Sequence, residues 1–595
     1  MTPARPGSPD SLRLALGSRR LRVGLAFVLV LLMVLGVRLF QLQALDLNGM
    51  AQAGLSKRLT TTAVQPVRGS IVDMNGKYFA RSVERYDLVV DQRLSAVEEF
   101  RRFNEELDEW EVIPIDQALS ELSAVIGVDG ETLRGAVLGD KSFNYILKSV
   151  TPEVKNRALA VKIPGVYADQ TSVRTYPAGA VGGSIIGFVS ENGDPQEGLE
   201  YSLNDQLTGK AGQRTFEIGG DGIRIPYATN EDVPAVDGRD VRLTIDQDLQ
   251  WFAQQTIASQ VKDYKAEWGN IVVVETDTGA IRAMAESTTP DPNDPTATPA
   301  DQRRPNSVSA SFEPGSTTKV ITMAGAIEQG LIEPTSRFTL ENRYTVDGQT
   351  FKDAFEHETE KRTAAGILAK SMNTGTVQVG QKLTRQERYD WLKKFGIGEP
   401  LGTGLNEENQ GLLTTPDKWD DRQQYTVLFG QGLTQTALHT AMVYQTIAND
   451  GVRLPPRLID AYIDPDGTEH EVAAAEGTKV VSPETAAKMR KMLETVTEEG
   501  SGKSGELDQY RVGAKTGTAE APGASGGYDG YTLSYAGIAP IEDPEYVVVV
   551  TLQRPQGDLY YLIPGLSFQK VMQQVLNSNN VPASTMKPDI YPVKY

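Results

Sequence analysis

No cysteine occurs among the 595 residues, which excludes disulfides, thiolate catalysis and cysteine-held metals. Histidine is nearly absent as well: the chain has only His357, His439 and His470. No two of them stand at metal-ligand spacing and no HExxH occurs, so neither a resident metal nor zinc chemistry is expected. Positive charge is in deficit. The net charge of −19 sets a repulsive field against phosphate polyanions and argues against a nucleic-acid partner. No internal repeat stands out. The length exceeds what one hydrophobic core usually organises, so a large domain with smaller ones is expected.

Long apolar runs are missing too, with one exception. Residues 23–37 (VGLAFVLVLLMVLGV) are uncharged, and Leu39 and Phe40 extend the run past Arg38. Residues 23–40 are near the lower limit for crossing a bilayer, provided Arg38 snorkels to the interface. Arg13, Arg19, Arg20 and Arg22 precede the run, which holds the N-terminus in the cytoplasm and the rest of the chain outside. A cleaved signal is the rival reading. Ala51-Gln52-Ala53 has the cleavage-site look but stands too far beyond the apolar core. An uncleaved anchor is preferred.

Beyond a polar helical stalk over residues 41–58, the pattern to about residue 237 is mixed. Tyr86 to Val90 reads as a strand and residues 95–111 as a charged helix, with frequent Gly and Pro between. Candidate catalytic groups are few, which suits a scaffold. Near Gly238 the character changes. A strand-like run at 241–246 precedes an amphipathic helix at 249–264 and a hairpin around Asp277-Thr278-Gly279. Helical segments fill residues 319–445, and strands return at 512–515, 534–537 and 546–552. Strands at both ends with helices between predict an α+β domain, a mainly antiparallel sheet covered by helices.

Two motifs are decoys. Gly502-Lys503-Ser504 resembles the end of a phosphate loop, but Thr497 occupies the first glycine position and a helix precedes it. Gly523-Ala524-Ser525-Gly526-Gly527 matches G-x-S-x-G, yet every histidine precedes Ser525 and none can complete that triad. What remains is a serine activated by lysine. S-x-x-K begins at Ser259, Ser316, Ser567 and Ser584, and S-x-N at five serines, whereas K-T-G occurs once, at Lys515-Thr516-Gly517. The order S-x-x-K, S-x-N, K-T-G leaves Ser371-Met372-Asn373 as the middle element, with Ser259 and Ser316 in competition.

Context favours Ser316. Ser259 lies inside an ordinary amphipathic helix. Ser316 follows the Pro314-Gly315 turn and opens an apolar stretch (VITMAGAI), which puts it on the first turn of a buried helix, where free N–H groups and the helix dipole favour negative charge. Lys319, one turn on, shares its face. Buried beside a second cation such as Lys515, it would lose its proton and serve as base. Ser371 would relay a proton and Asn373 hold a substrate amide. On an edge strand, Gly517 would clear room for a peptide, Thr516 would face the other way, and the N–H groups of Thr518 and Ser316 would form an oxyanion hole.

These residues resemble the class B penicillin-binding proteins, monofunctional D,D-transpeptidases, over nearly the whole chain. Phe312 to Lys319 (FEPGSTTK) resembles the nucleophile segment, with Thr318 where the family usually has phenylalanine. Gly430-Gln431-Gly432 and Ile447 to Gly451 also match. In the scaffold, Arg68 to Gly76 resembles R-G-x-I-x-D-R-N-G with Met74 for arginine, and Arg174-Thr175-Tyr176-Pro177 and Gly198-Leu199-Glu200 resemble later signatures. Asp353-Ala354-Phe355-Glu356-His357 looks most like the septal, FtsI-like branch.

The resemblance implies a penicillin-binding/serine β-lactamase-like transpeptidase domain on an elongated, mainly β pedestal with one N-terminal transmembrane helix. The expected division is 1–22 cytoplasmic, 23–40 anchor, 41–237 stalk and dimerisation-like pedestal, 238–580 transpeptidase, and 581–595 tail. It implies Ser316, Lys319, Ser371, Asn373 and Lys515 as catalytic residues, and Thr516, Gly517 and Thr518 as binders of a D-Ala-D-Ala carboxylate. No cofactor is called for. Expected partners are stem peptides, β-lactams that acylate Ser316, and a SEDS-type (FtsW-like) glycosyltransferase with other division proteins. Rival readings are an elongation-type transpeptidase, a carboxypeptidase that passes the acyl group to water, and a penicillin-sensing protein without turnover.

Overall fold

The computed structural model describes residues 10–43, 56, 58–104, 107–217, 231–523, 526–557 and 562–595. Two compact units result: residues 1–66 with 210–236, and residues 67–209 with 237–595. In the first, helix Asp10–Gln43 contains a stretch, Arg19–Gln41, long and apolar enough to cross a membrane and not buried in the protein. The same unit holds a three-stranded sheet of Leu59–Val64, Gly212–Glu217 and Glu231–Val233. Most of the stalk expected over residues 41–58 lies outside the described residues.

In the second unit the pedestal is built on strand Tyr78–Val90, paired with Val166–Thr175 and Asn144–Val150. Its signature residues are structural. Glu200, fully buried, accepts from Arg68 Nε at 2.7 Å and from Arg174 Nε at 2.7 Å, and its carbonyl accepts from Arg68 Nη2. One carboxylate thus ties together three distant segments. A lone buried charge would be strongly unfavourable, and pairing with hydrogen-bonded guanidinium groups is what makes this one tolerable.

Residues 95–111 do not form the helix their charges suggest. They enter a β-hairpin, Glu99–Asn104 against Glu109–Pro114. The strand register places Phe103 directly opposite Trp110, with ring centroids 5.5 Å apart. Cross-strand aromatic packing outweighs the helical propensity of the glutamates and arginines.

Strand Asp240–Leu243 is a seam. It pairs in parallel with pedestal strand Ile71–Val72 and antiparallel with Ile459–Ile463 from the second half of the chain. Asp73, fully buried, closes the neighbouring turn by accepting from the N–H groups of Asn75 and Lys77, both at 2.8 Å.

The main sheet is antiparallel, in the order Ile281–Glu286, Trp268–Glu275, Tyr546–Gln553, Tyr528–Ala539, Gly513–Pro522. Both faces are covered, which is why Val547 to Val550 form an uninterrupted apolar run. Helices Gln247–Asp263 and Ile563–Ser578 pack on one face with Ile271, Val273, Val548 and Val550. Helices Lys319–Glu328 and Ala437–Ala448 share the other core with Val272, Val274, Val547 and Val549. All twelve residues of Ala437–Ala448 are buried. Its His439 serves packing and capping, with Nδ1 2.7 Å from Thr436 Oγ1 and Nε2 2.9 Å from the Glu399 carbonyl.

Candidate active site

Ser316 stands on a 3₁₀ turn, Gly315–Thr318, that runs directly into the buried helix Lys319–Glu328. The turn is pressed against two other segments. Gly315 has φ +58°, and a Cβ there would lie 2.8 Å from the Thr518 carbonyl. Its N–H donates to the Gly430 carbonyl at 3.0 Å, and Gly430 (φ +81°) leaves no room for a Cβ against Gly315. Glycine is required at both positions for this approach. The Gly432 N–H donates to Glu313 at 2.8 Å, and the Tyr444 hydroxyl to the Thr317 carbonyl at 3.2 Å. Thr318, where the resemblance would place phenylalanine, buries a hydroxyl with no partner among the described residues.

Lys319 is fully buried. Its Nζ donates to the Ser371 carbonyl at 2.6 Å, to Asn373 Oδ1 at 2.8 Å and to Ser371 Oγ at 3.3 Å. None of the three goes to Ser316. Burial lowers its pKa from 10.5 to about 7, against the pull of the Asp353 carboxylate. Lys515 is also fully buried, on the edge strand Gly513–Pro522. Its Nζ donates to Ser371 Oγ at 2.9 Å and to the Thr516 carbonyl at 3.0 Å. Burial and then the charge of Lys319 hold it well below the usual lysine range. The Ser371 hydroxyl therefore lies between two buried amines.

The S-x-N segment ends helix Ala364–Ala369 and opens helix Asn373–Gly380. Ser371 has φ +55°, with its N–H on the Leu368 carbonyl and the Met372 N–H on the Ile367 carbonyl. This is a left-handed helix stop at which glycine is usual. A serine there costs on the order of 1–2 kcal/mol of strain. The turn aims the Ser371 carbonyl at Lys319 and its hydroxyl at Lys515, so both halves of the residue enter the site.

Gly517 also has a reason to lack a side chain. A Cβ would strike Ser534 Oγ and lie 2.8 Å from the Pro314 carbonyl and 3.2 Å from Thr317 Cγ2. Thr516 Oγ1 donates to Ser501 Oγ at 2.9 Å, and Lys515 reaches the same hydroxyl at 3.5 Å. Ser501 belongs to none of the three motifs, and its one signal in the sequence is its place between Gly500 and Gly502, just after helix Pro483–Glu499. Asp353 was quoted only as part of a resemblance, yet it is buried and acts electrostatically on Lys319. Thr518 is exposed on the same edge strand. Ser259 is excluded from this cluster: on helix Gln247–Asp263, its hydroxyl bonds Asp263 at 3.2 Å. Lys503 and Ser504 belong to a 3₁₀ turn after a helix, and Ser525 lies outside the described residues. Among the described residues no cluster of His, Asp and Glu could hold a metal.

Residues 269–573 match the penicillin binding protein transpeptidase domain, and residues 63–243 the penicillin-binding protein dimerisation domain. The chain is a class B penicillin-binding protein. Among curated relatives of this penicillin-binding protein is PbpB of Mycolicibacterium smegmatis, 34% identical over 591 residues, covering 95% of this chain and 91% of the relative. The peptidoglycan D,D-transpeptidase FtsI of Escherichia coli is 29% identical over 565 residues, covering 93% and 90%. A crystal structure described as a peptidoglycan synthetase from Bifidobacterium adolescentis superposes with TM-score 0.77 at 34% identity, over 90% of this chain and all of that one. Penicillin binding protein 3 of Mycobacterium tuberculosis, solved with aztreonam, gives 0.68 at 27%, over 90% and 100%.

Proposed function

We propose that this penicillin-binding protein is a peptidoglycan D,D-transpeptidase that cross-links stem peptides through a Ser316 acyl-enzyme during septal wall synthesis. The observation that carries the reading is the burial of Lys319 and Lys515 on either side of the Ser371 hydroxyl, with the Ser316 turn packed against the K-T-G strand. Burial brings the neutral form of Lys319 within reach near neutral pH. Ser371 O and Asn373 Oδ1 only accept, so they take the two N–H groups of a neutral amine. A neutral amine so held keeps its lone pair for use as a base.

In the reaction, that lone pair takes the proton of Ser316 as Oγ attacks the carbonyl of the penultimate D-Ala. The oxyanion forms against the N–H groups of Ser316 and Thr518. Ser371 hands a proton, replenished by Lys515 or Lys319, to the departing D-Ala amine. Thr516, Thr518 and Lys515 receive the terminal carboxylate, and Asn373 holds a substrate amide. An amine from a second stem peptide attacks the ester, completes the cross-link and returns the proton to the site. A β-lactam enters the same path and stays as the Ser316 ester. The FtsI and PbpB relatives support the septal assignment. The apolar run at residues 23–40, inside helix Arg19–Gln41, is read as a single-pass anchor, with Arg13, Arg19, Arg20 and Arg22 on its cytoplasmic side and the site outside. A SEDS-type glycosyltransferase is the expected partner.

The test is labelling of the full chain by a fluorescent penicillin, with product analysis on a D-Ala-D-Ala peptide with and without an acceptor amine. Ser316→Ala should abolish labelling and Ser259→Ala preserve it. The reverse pattern overturns the assignment, and release of free acid alone in the presence of acceptor establishes a carboxypeptidase instead.

A further inference from the structure

His357 lies outside the three motifs, yet it is wired into them. Its Nδ1 is 2.6 Å from the Glu358 carbonyl, and its Nε2 is 3.0 Å from Asp353 Oδ2. The imidazole is largely buried, with 15% of its side chain exposed against 6% for Asp353. A carbonyl only accepts, so Nδ1 carries a hydrogen. If Nε2 were bare, its lone pair would face the carboxylate. The other contacts of Asp353 are donors: the Thr374 N–H at 3.0 Å on Oδ1 and the Thr374 hydroxyl at 2.7 Å on Oδ2. An ionised carboxylate only accepts, so the hydrogen shared with Nε2 belongs to the ring. The proton count therefore closes with both ring nitrogens protonated.

The carboxylate so held is the anchor of the S-x-N turn. Thr374 is the second residue of helix Asn373–Gly380, and Asp353 binds its N–H and hydroxyl together. One residue earlier, Asn373 accepts from Lys319 and donates to the Lys352 carbonyl at 3.3 Å. Asp353 also acts on Lys319 through its charge. We propose that His357 is a positioning residue for the acyl transfer: as an imidazolium it clamps Asp353, and through Asp353 it fixes the turn that carries Ser371 and Asn373 and tempers the charge felt by Lys319.

Burial lowers the proton affinity of His357, but the Asp353 hydrogen bond, the Glu358 carbonyl and the charges of Asp353 and Glu360 together raise it above the ordinary value. On strand Glu360–Thr363, Glu360 is itself tied to Arg362 at 2.7 Å. Helix Asn373–Gly380 offers no charged side chain, helix Lys319–Glu328 offers Lys319 beyond Asp353, and strand Gln349–Lys352 offers Lys352. As pH rises through the titration of His357, the clamp loses its charge. The Asp353 carboxylate is then uncompensated and draws the proton back toward Lys319. Acylation should fall on that alkaline side, opposing the gain from deprotonating Lys319.

This inference rests on the proposed role of Ser316, and the test separates the two. Only three histidines are present, so imidazole NMR of the detergent-solubilised, histidine-labelled full chain resolves His357 by loss of its signal in His357→Gln. That signal should titrate above the ordinary histidine value, and Asp353→Asn should move it down. An ordinary titration unmoved by Asp353→Asn overturns the clamp whatever Ser316 does. The second readout is the pH profile of fluorescent-penicillin acylation, with Ser316→Ala as the blank. His357→Gln should lower the rate at pH 6.5 about tenfold and erase the alkaline decline, while His357→Arg, a fixed cation, should restore part of the rate. Equal losses in both variants at every pH would reduce His357 to packing and refute the proposal.

Discussion

Replacing Lys319 by methionine should make the enzyme inactive and its fold more stable. The side chain is fully buried, and its pKa falls from 10.5 to about 7 because burial disfavours the ammonium ion. A base whose folded pKa is depressed loses stability as pH falls. The penalty is absent above about 10.5, grows through the interval, and is complete below about 7. At about 1.4 kcal/mol per pH unit, the full penalty is on the order of 4–5 kcal/mol. Methionine matches the length of the chain but leaves the Ser371 carbonyl and Asn373 Oδ1 without their donor. At about 1 kcal/mol for each lost hydrogen bond, roughly half of the gain is returned. The net effect at pH 6.5 is a rise of a few degrees in the unfolding temperature of the transpeptidase unit, at about 2 °C per kcal/mol. The advantage should shrink as pH rises and reverse near pH 9, where the remaining penalty equals the roughly 2 kcal/mol of lost hydrogen bonds. The assay is thermal unfolding of full-length wild type and Lys319→Met in detergent from pH 6 to 10, beside penicillin labelling. A variant less stable than wild type by the same margin at every pH would refute the reasoning, because it would mean that Lys319 carries no burial penalty.

Three further outcomes follow from other parts of the molecule. Glu200→Ala strands Arg68 and Arg174, whose side chains are 12% and 5% exposed; it should cost about 3–5 kcal/mol, and a change under 1 °C in thermal unfolding would contradict the clamp. Gly517→Val drives a side chain into Ser534 Oγ and the Pro314 carbonyl, so acylation measured with a fluorescent penicillin should fall about 10²-fold; a wild-type rate would show that strand and turn are not in contact. Glu286, buried and bonded through one oxygen to Ser307, has its pKa pushed up to about 8. Its contribution to stability is complete below about 4.5 and lost as pH rises toward 8. Glu286→Gln should therefore unfold at higher temperature than wild type at pH 8, and a lower temperature there would reject this reading.

The sequence made the chemistry legible where it is local. Ser316 and Lys319 sit one helical turn apart, and Lys515-Thr516-Gly517 alternates along a strand, so spacing alone suffices. The hairpin around Asp277-Thr278-Gly279, the helix at Gln247–Asp263 and the edge position of the K-T-G strand agree with that reading. What spacing cannot carry is set by partners far along the chain. The left-handed backbone of Ser371 had no glycine to announce it. Ser501 enters only because helix Pro483–Glu499 ends beside Thr516. The hairpin at residues 99–114 hides under a helix-like charge pattern until Phe103 meets Trp110. Met74, flagged only as a departure from the signature, accepts from Arg282 Nη1 through sulfur at 3.4 Å, and that guanidinium is paired with Glu275. No arrangement of neighbours in sequence discloses such a contact.

The central claim is that a buried amine near neutrality draws the proton from Ser316, and the rate of Ser316 acylation against pH measures it directly. With a fluorescent penicillin and full-length wild type in detergent, the rate should rise with pH to a half-maximal value near pH 7, falling about tenfold per pH unit on the acid side. A rate flat from pH 5.5 to 8, or one that climbs only toward pH 10, would contradict Lys319 as the base.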